Sequence, residues 1–151
     1  DRLYVFEAPI DLLSFATLYP RDWQQHSYVA LCGISSHAML WMLEQNLKLQ
    51  KVLLCLDHDE AGIKATGRLM DILHEKDYSV WPQLPDWKDW NETLKAHHGM
   101  DAEPAEDHPQ LTDAWLNLAA ACAKVSVKYE AEQTKQQQKQ EESMTMTMGV
   151  M

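Results

Sequence analysis

Two aspartates one residue apart, Asp57 and Asp59, close the run VLLCLDHDEAG at residues 52–62. In extended backbone, side chains two positions apart project to the same side. Carboxylates held that close repel each other unless a proton or a cation lies between them, and a hard divalent ion such as Mg²⁺ is held by oxygen ligands of this kind. The residues before them are apolar and partly β-branched, which is the pattern of a buried parallel strand. The pair therefore reads as a metal site at a strand end. The plainer alternative makes Asp59 a helix cap and leaves Asp57 solvated.

The elements that would carry this pair alternate in type. Leu3 to Phe6 reads as a first strand ending at Glu7, and Pro9 suits the first turn of a helix that Pro20 closes. Ile10, Leu13 and Thr17 mark its expected apolar stripe, widened by Leu12 and Phe15. Tyr28 to Cys32 is a second strand that stops at Gly33, and Ser35 or Ser36 can cap a helix whose apolar face uses Met39, Leu40, Met42, Leu43 and Leu47. After the third strand, Ile63, Thr66, Met70 and Leu73 recur at helical spacing. Tyr78 to Trp81 offers a fourth strand closed by Pro82, and Glu92 to His98 a short helix.

This order predicts an α/β fold of Rossmann-like kind, a mostly parallel four-stranded sheet with helices on both faces. Ligands of such sheets gather at the carboxyl ends of the strands. Glu7, Gly33, Asp57 and Asp59 all fall there, which capping alone does not explain. The core domain is expected over 1–98, an acidic linker over 99–110, a C-terminal helix over 111–142 and a disordered tail over 143–151.

The 151 residues carry 23 acidic and 13 basic side chains, a formal charge of −10. That balance disfavours a module that grips nucleic acid by its own electrostatics. Bound metal, or basic surface on a neighbouring domain, would offset it. No apolar stretch is long enough to cross a bilayer and no secretory pattern opens the chain, so a cytoplasmic, non-membrane protein is expected. Cys32, Cys55 and Cys122 lie far apart and read as free thiols. The chain opens without methionine directly before a strand, which suggests a fragment of a longer protein.

With Glu7, Gly33 and the aspartate pair in place, the chain resembles the TOPRIM domain of bacterial primases, type IA and type II topoisomerases and several nucleases. The resemblance spans roughly residues 2–98 and rests on E-A-P-I-D at Glu7 to Asp11, C-G-I-S at Cys32 to Ser35 and D-H-D-E-A-G at Asp57 to Gly62. E-A-P-I-D-L-L-S from Glu7 and K-D-W-N-E-T-L from Lys88 are similar to the Toprim-like branch of plasmid and conjugative-element proteins. The primases usually have glycine after the glutamate, where Ala8 stands here.

The resemblance implies Asp57 and Asp59 as ligands of Mg²⁺ or Mn²⁺, and Glu7 as a further ligand or the catalytic acid/base. Metal ions at such a rim suit phosphoryl transfer. Asp11, one helical turn after Glu7, would orient it or serve the helix N-terminus. Asp89, Asn91 and Glu92 would extend the site, Lys88 would contact a phosphate, and Trp90 would anchor the loop by packing. The implied function is a Mg²⁺-dependent primase or nuclease module of a mobile-element protein. Its partners would be DNA, single-stranded or primer-template, through a larger parent chain, and possible nucleotides.

A non-catalytic scaffold that holds metal and DNA phosphate is the alternative. A phosphoacceptor receiver fits less well, because it needs an acidic pair after its first strand and a lysine after its last. A haloacid-dehalogenase-type phosphatase places D-x-D on its first strand, and a topoisomerase needs a tyrosine better placed than Tyr4, Tyr28 or Tyr129. His58 is expected to point away from the aspartates into solvent, and the adjacent His97 and His98 are poorly spaced for zinc. Trp41, Trp81 and Trp115 fall in apolar patterns and are expected in the core. Trp87 and Trp90 are the ones considered for stacking on bases.

Overall fold

The computed structural model describes residues 1–21 and 23–106. Four strands, β1 (Leu3–Phe6), β2 (Ser27–Ala30), β3 (Lys51–Leu54) and β4 (Ser79–Pro82), form one sheet in the order β2-β1-β3-β4. Every pairing is parallel, with Leu3 opposite both Ser27 and Val52, and Lys51 opposite Ser79. Pairing runs past the strand ends, since Leu31 N–H donates to Phe6 O, Cys55 N–H to Val5 O and Gln83 N–H to Leu54 O. Pro82 is tolerated at the end of an edge strand, where a missing donor costs least.

Among the described residues four helices cover the sheet: α1 (Pro9–Leu18), α2 (His37–Gln45), α3 (Glu60–Glu75) and α4 (Trp90–His97). Strand alternation sorts them into two layers. Leu3, Val5, Val52 and Leu54 point toward Met39 and Leu43 of α2 and Leu69 and Leu73 of α3. Tyr4, Phe6 and Cys55 point the other way, toward Phe15 of α1 and Trp90 of α4. Phe15 binds this second layer, with ring centroids 5.3 Å from Tyr4, 5.2 Å from Phe6 and 4.8 Å edge-on from Trp90. Such ring pairs add to the area they bury.

Three expectations are corrected. The buried face of α1 is Asp11, Ser14 and Phe15, while Ile10 is 53% and Leu13 61% exposed and Thr17 is exposed too. Apolar residues surround this helix, so periodicity selects no unique stripe. The choice is made by polar ties to α4, through Asp11 and Ser14. Trp41 is 62% exposed rather than core, because the short α2 buries only Met39 and Leu43. Leu47 lies beyond α2 and is exposed, and Leu49 fills the core in its place.

Residues 101–106, expected as the start of a linker, are hydrogen-bonded back onto the domain. Pro104 bridges Trp87, Lys88 N–H donates to Glu103 O, and Glu106 N–H donates to His58 O. The helix expected over 111–142, with Trp115 and Tyr129, and the tail over 143–151 lie outside the described residues.

Candidate functional site

The strand order fixes where a ligand can enter. From β1 the chain passes through α1 on one face to β2; from β3 it passes through α3 on the other face to β4. The connections that leave the neighbouring strands β1 and β3 therefore diverge, and a crevice opens between their carboxyl ends. Glu7 follows β1 and Asp57 follows β3 at that crevice.

The two carboxylates are close enough to perturb each other. Asp57 N–H donates to the Glu7 carboxylate. Among the described residues, Glu7 Oε2 and Asp57 Oδ1 are buried and without a hydrogen-bond partner. Burial, followed by the charges of Glu7, Asp11, Asp89 and Asp59, pushes the Asp57 carboxyl up to about 8. Glu7 is raised as well, by burial first and then by Asp59 and Asp11. Two orphaned oxygens in a field of five carboxylates require a proton or a cation.

Among the described residues no three Asp, Glu, His or Cys side chains enclose an ion-sized space. The donor set nonetheless fits Mg²⁺, which keeps several waters and is commonly bound by one or two carboxylates plus substrate phosphate oxygens. Glu7 and Asp57 would be the protein donors. Asp59 is partly committed elsewhere: as N-cap of α3, its Oδ1 accepts from Gly62 N–H at 2.8 Å. Its role as a cap and its charge at the rim coexist.

Gly62 explains the spacing between the aspartates and their glycine. A Cβ at this position would lie 2.2 Å from the Asp57 carbonyl oxygen and 2.8 Å from its carbon. Only a residue without Cβ lets the first turn of α3 pack against the Asp57 backbone. In the β2–α2 loop, Cys32 (φ 54°) and Gly33 (φ 134°) turn the chain so that Gly33 N–H donates to Glu7 O at 3.2 Å. Gly33 thus steadies the Glu7 loop from the side. Ala8 sits at φ −124° and ψ 154°, a conformation open to any residue.

The remaining candidates divide. Asp11 is buried and its Oδ1 accepts from Asn91 N–H at 3.2 Å, so it ties α1 to the first turn of α4 while adding charge to the crevice. Burial raises its carboxyl, and the Asn91 amide partly offsets this. Asn91 Oδ1 also accepts from Ser14 Oγ. Asp89 caps α4 through Glu92 N–H at 2.7 Å, and its charge reaches Asp57 and Asp11.

Glu92 is not joined to the crevice. Its carboxylate holds Lys95 Nζ at 2.7 Å and Glu103 N–H at 2.7 Å, and Lys95 followed by the Glu103 amide lowers its carboxyl. Lys88 Nζ pairs with Glu103.

His58 is half-buried rather than solvent-facing, because its Nδ1 meets Pro85 O at 2.9 Å and its N–H donates to Lys88 O at 2.6 Å. It fastens the aspartate loop to the Lys88 loop, a role that D-x-D spacing does not signal. Trp90 is buried, its Nε1–H donating to Cys55 O at 3.0 Å, so stacking on a base is corrected to core packing. Glu103 and Glu106 were missed because acidic residues flanking a proline carry the signature of a linker.

Fold and rim define a doubly wound α/β domain with a carboxylate cluster at its switch point. The chain belongs to the Toprim-like family, whose model matches residues 4–94. It is 33% identical over 110 residues to the "Uncharacterized protein MG010 homolog" of Mycoplasma pneumoniae, covering 72% of this chain and 50% of that protein. It is 32% identical over 114 residues to a DNA primase of the same organism, covering 71% of this chain and 17% of the primase. The chain thus spans half the length of the first relative and a smaller part of the second. Among the described residues no helix is long and apolar enough to cross a membrane.

Proposed function

We propose that this chain is a Mg²⁺-dependent nucleic-acid-processing module that performs phosphoryl transfer of primase or nuclease type. The observation that carries the proposal is the pair of buried, unpartnered oxygens, Glu7 Oε2 and Asp57 Oδ1, on neighbouring strand ends. Membership of the Toprim-like family and the similarity to a DNA primase support it. In this proposal the module acts in the cytoplasm, within a larger mobile-element protein of the plasmid or conjugative kind, on single-stranded or primer-template DNA.

Glu7 and Asp57 would hold the ion, with Mn²⁺ as a substitute, and Asp59 and Asp89 would add charge from their cap positions. The bound ion supplies charge neutralisation for a phosphoryl oxygen. Glu7, whose carboxyl is raised by burial and then by the charges of Asp59 and Asp11, lies at the same crevice and would act there either as a ligand or as general acid or base. Gly33 and Asp11 hold the two loops still. Lys88 lies on the loop before α4 and Asn91 in the first turn of that helix.

Titration with Mn²⁺ followed by NMR tests the site. Paramagnetic broadening is expected to centre on residues 7 and 57 and to be lost in the Asp57→Asn/Asp59→Asn double variant. Identical broadening in wild type and variant would sink the proposal. In the full-length parent, Glu7→Gln is expected to lower nucleotide incorporation or strand cleavage by about 10²-fold or more, the usual worth of a positioned proton-transfer group. Retained metal binding without either activity would favour the scaffold reading instead.

A further inference from the structure

A second concavity lies away from the acidic crevice, between the end of α1 and the body of α4. It has a volume of about 390 Å³, and Tyr19, Asp86, Trp87, Thr93 and His97 are among the residues that line it. That volume lies within the range of small-molecule sites. Two aromatic rings meet a carboxylate, a hydroxyl and an imidazole, so the lining combines stacking surface with directional polar groups.

Trp87 is displayed from an immobilised backbone. Its N–H donates to Thr93 Oγ1 at 3.3 Å, its backbone bridges Pro104, and the next N–H, of Lys88, donates to Glu103 O at 3.2 Å. Residues 101–106 therefore hold in place the aromatic wall of the cavity. A platform fixed in advance loses little freedom when a ring stacks on it. Two residues further along the chain, Asp89 contributes charge to the crevice at Asp57. Cavity and crevice are thus joined by one short segment.

Charge decides which end of a nucleotide could enter. Asp86 would repel a phosphate but accepts hydrogen bonds from ring N–H and amino groups. Three lysines are paired with carboxylates, Lys64 with Glu60, Lys88 with Glu103 and Lys95 with Glu92. A chain with a formal charge of −10 has little to offer a phosphate backbone without bound metal, which leaves the base as the part of a nucleotide suited to this cavity.

We propose that this cavity is a base-binding subsite that takes an amino-bearing nucleobase, stacked on Trp87 or Tyr19 with its amino group on Asp86. The proposal rests on the reading of the rim as a nucleic-acid site. The base would belong to a free nucleotide or to a single strand whose phosphates pass the crevice.

The test uses the full chain in EDTA, with deoxyadenosine, with purine 2′-deoxyriboside, which lacks the amino group, and with oligodeoxyadenylate, followed by NMR. Shifts are expected at the Trp87 indole and Thr93, with deoxyadenosine binding at least fivefold more tightly than purine 2′-deoxyriboside. Trp87→Ala is expected to weaken every base about tenfold, the order of a lost base–aromatic stack. Trp87→Phe is expected to restore most of the affinity, and Asp86→Ala, at an exposed position, to abolish the preference for the amino-bearing base. Tighter binding of oligomers than of nucleosides identifies a strand as the ligand, and equal binding identifies a free nucleotide.

The proposal is overturned if the shifts centre elsewhere, or if both Trp87→Ala and Asp86→Ala bind as wild type does. Nucleosides lack phosphate and the assay lacks metal, so Asp57→Asn is expected to bind them normally. Failure here with intact Mn²⁺ binding at the crevice refutes the cavity alone.

Discussion

Asp57 concentrates the chemistry of the molecule in one side chain. An aspartate in unfolded chain releases its proton near 4, whereas the folded protein holds that of Asp57 up to about 8. Between those values the native state binds more protons than the unfolded state, so stability falls as pH rises through the window. The melting temperature of the metal-free protein is accordingly expected to drop from pH 5 to pH 8. Asp57→Asn, which removes the charge and keeps the shape, is expected to flatten that slope and to melt higher than wild type at pH 8. A wild-type slope that persists in the variant would place the titration elsewhere. That Asp57 and Glu7 share one rim was legible in the sequence, because a carboxylate that closes an apolar parallel strand is carried to the carboxyl edge of the sheet. The second duty of Asp11 was not, since its partner amide at Asn91 is eighty positions away in the chain.

The first turn of α3 shows how an element can be specified by a residue that does nothing chemical. Gly62 allows the helix to approach the Asp57 carbonyl more closely than any side chain permits. Gly62→Ala is expected to cost about 3 kcal/mol or more, at the upper end for overpacking, because the obstruction is backbone and cannot rotate away. Urea denaturation measures this directly, and a variant within 0.5 kcal/mol of wild type, a threshold on the order of an ordinary surface change, would refute the packing argument.

Strands and helix order were legible for a related reason: each parallel strand is a short apolar run ended by a turn or a charge. The face of α1 was illegible, since a helix apolar all round is oriented by what it meets, and the meeting with Asn91 is a tertiary event. Trp41 misled in the same way, being apolar by type and exposed by position.

At the scale of the whole molecule, the sheet and its site are assembled by the same contact. Glu7 and Asp57 come from distant parts of the chain and meet only when β1 pairs with β3, the two central strands. Non-local parallel pairing of this kind is slow because loop closure comes before any reward. Carboxylate repulsion opposes that same closure, so the charge of the crevice enters the kinetics of folding. Refolding of the metal-free chain, followed by stopped-flow fluorescence, is expected to slow between pH 5 and pH 8, and Asp57→Asn is expected to lose the dependence. If only unfolding responds to pH, the crevice forms after the rate-limiting step. Where refolding slows as expected, the carboxylates of the crevice act, in the newly made chain, as a gate on when the two halves of the sheet join.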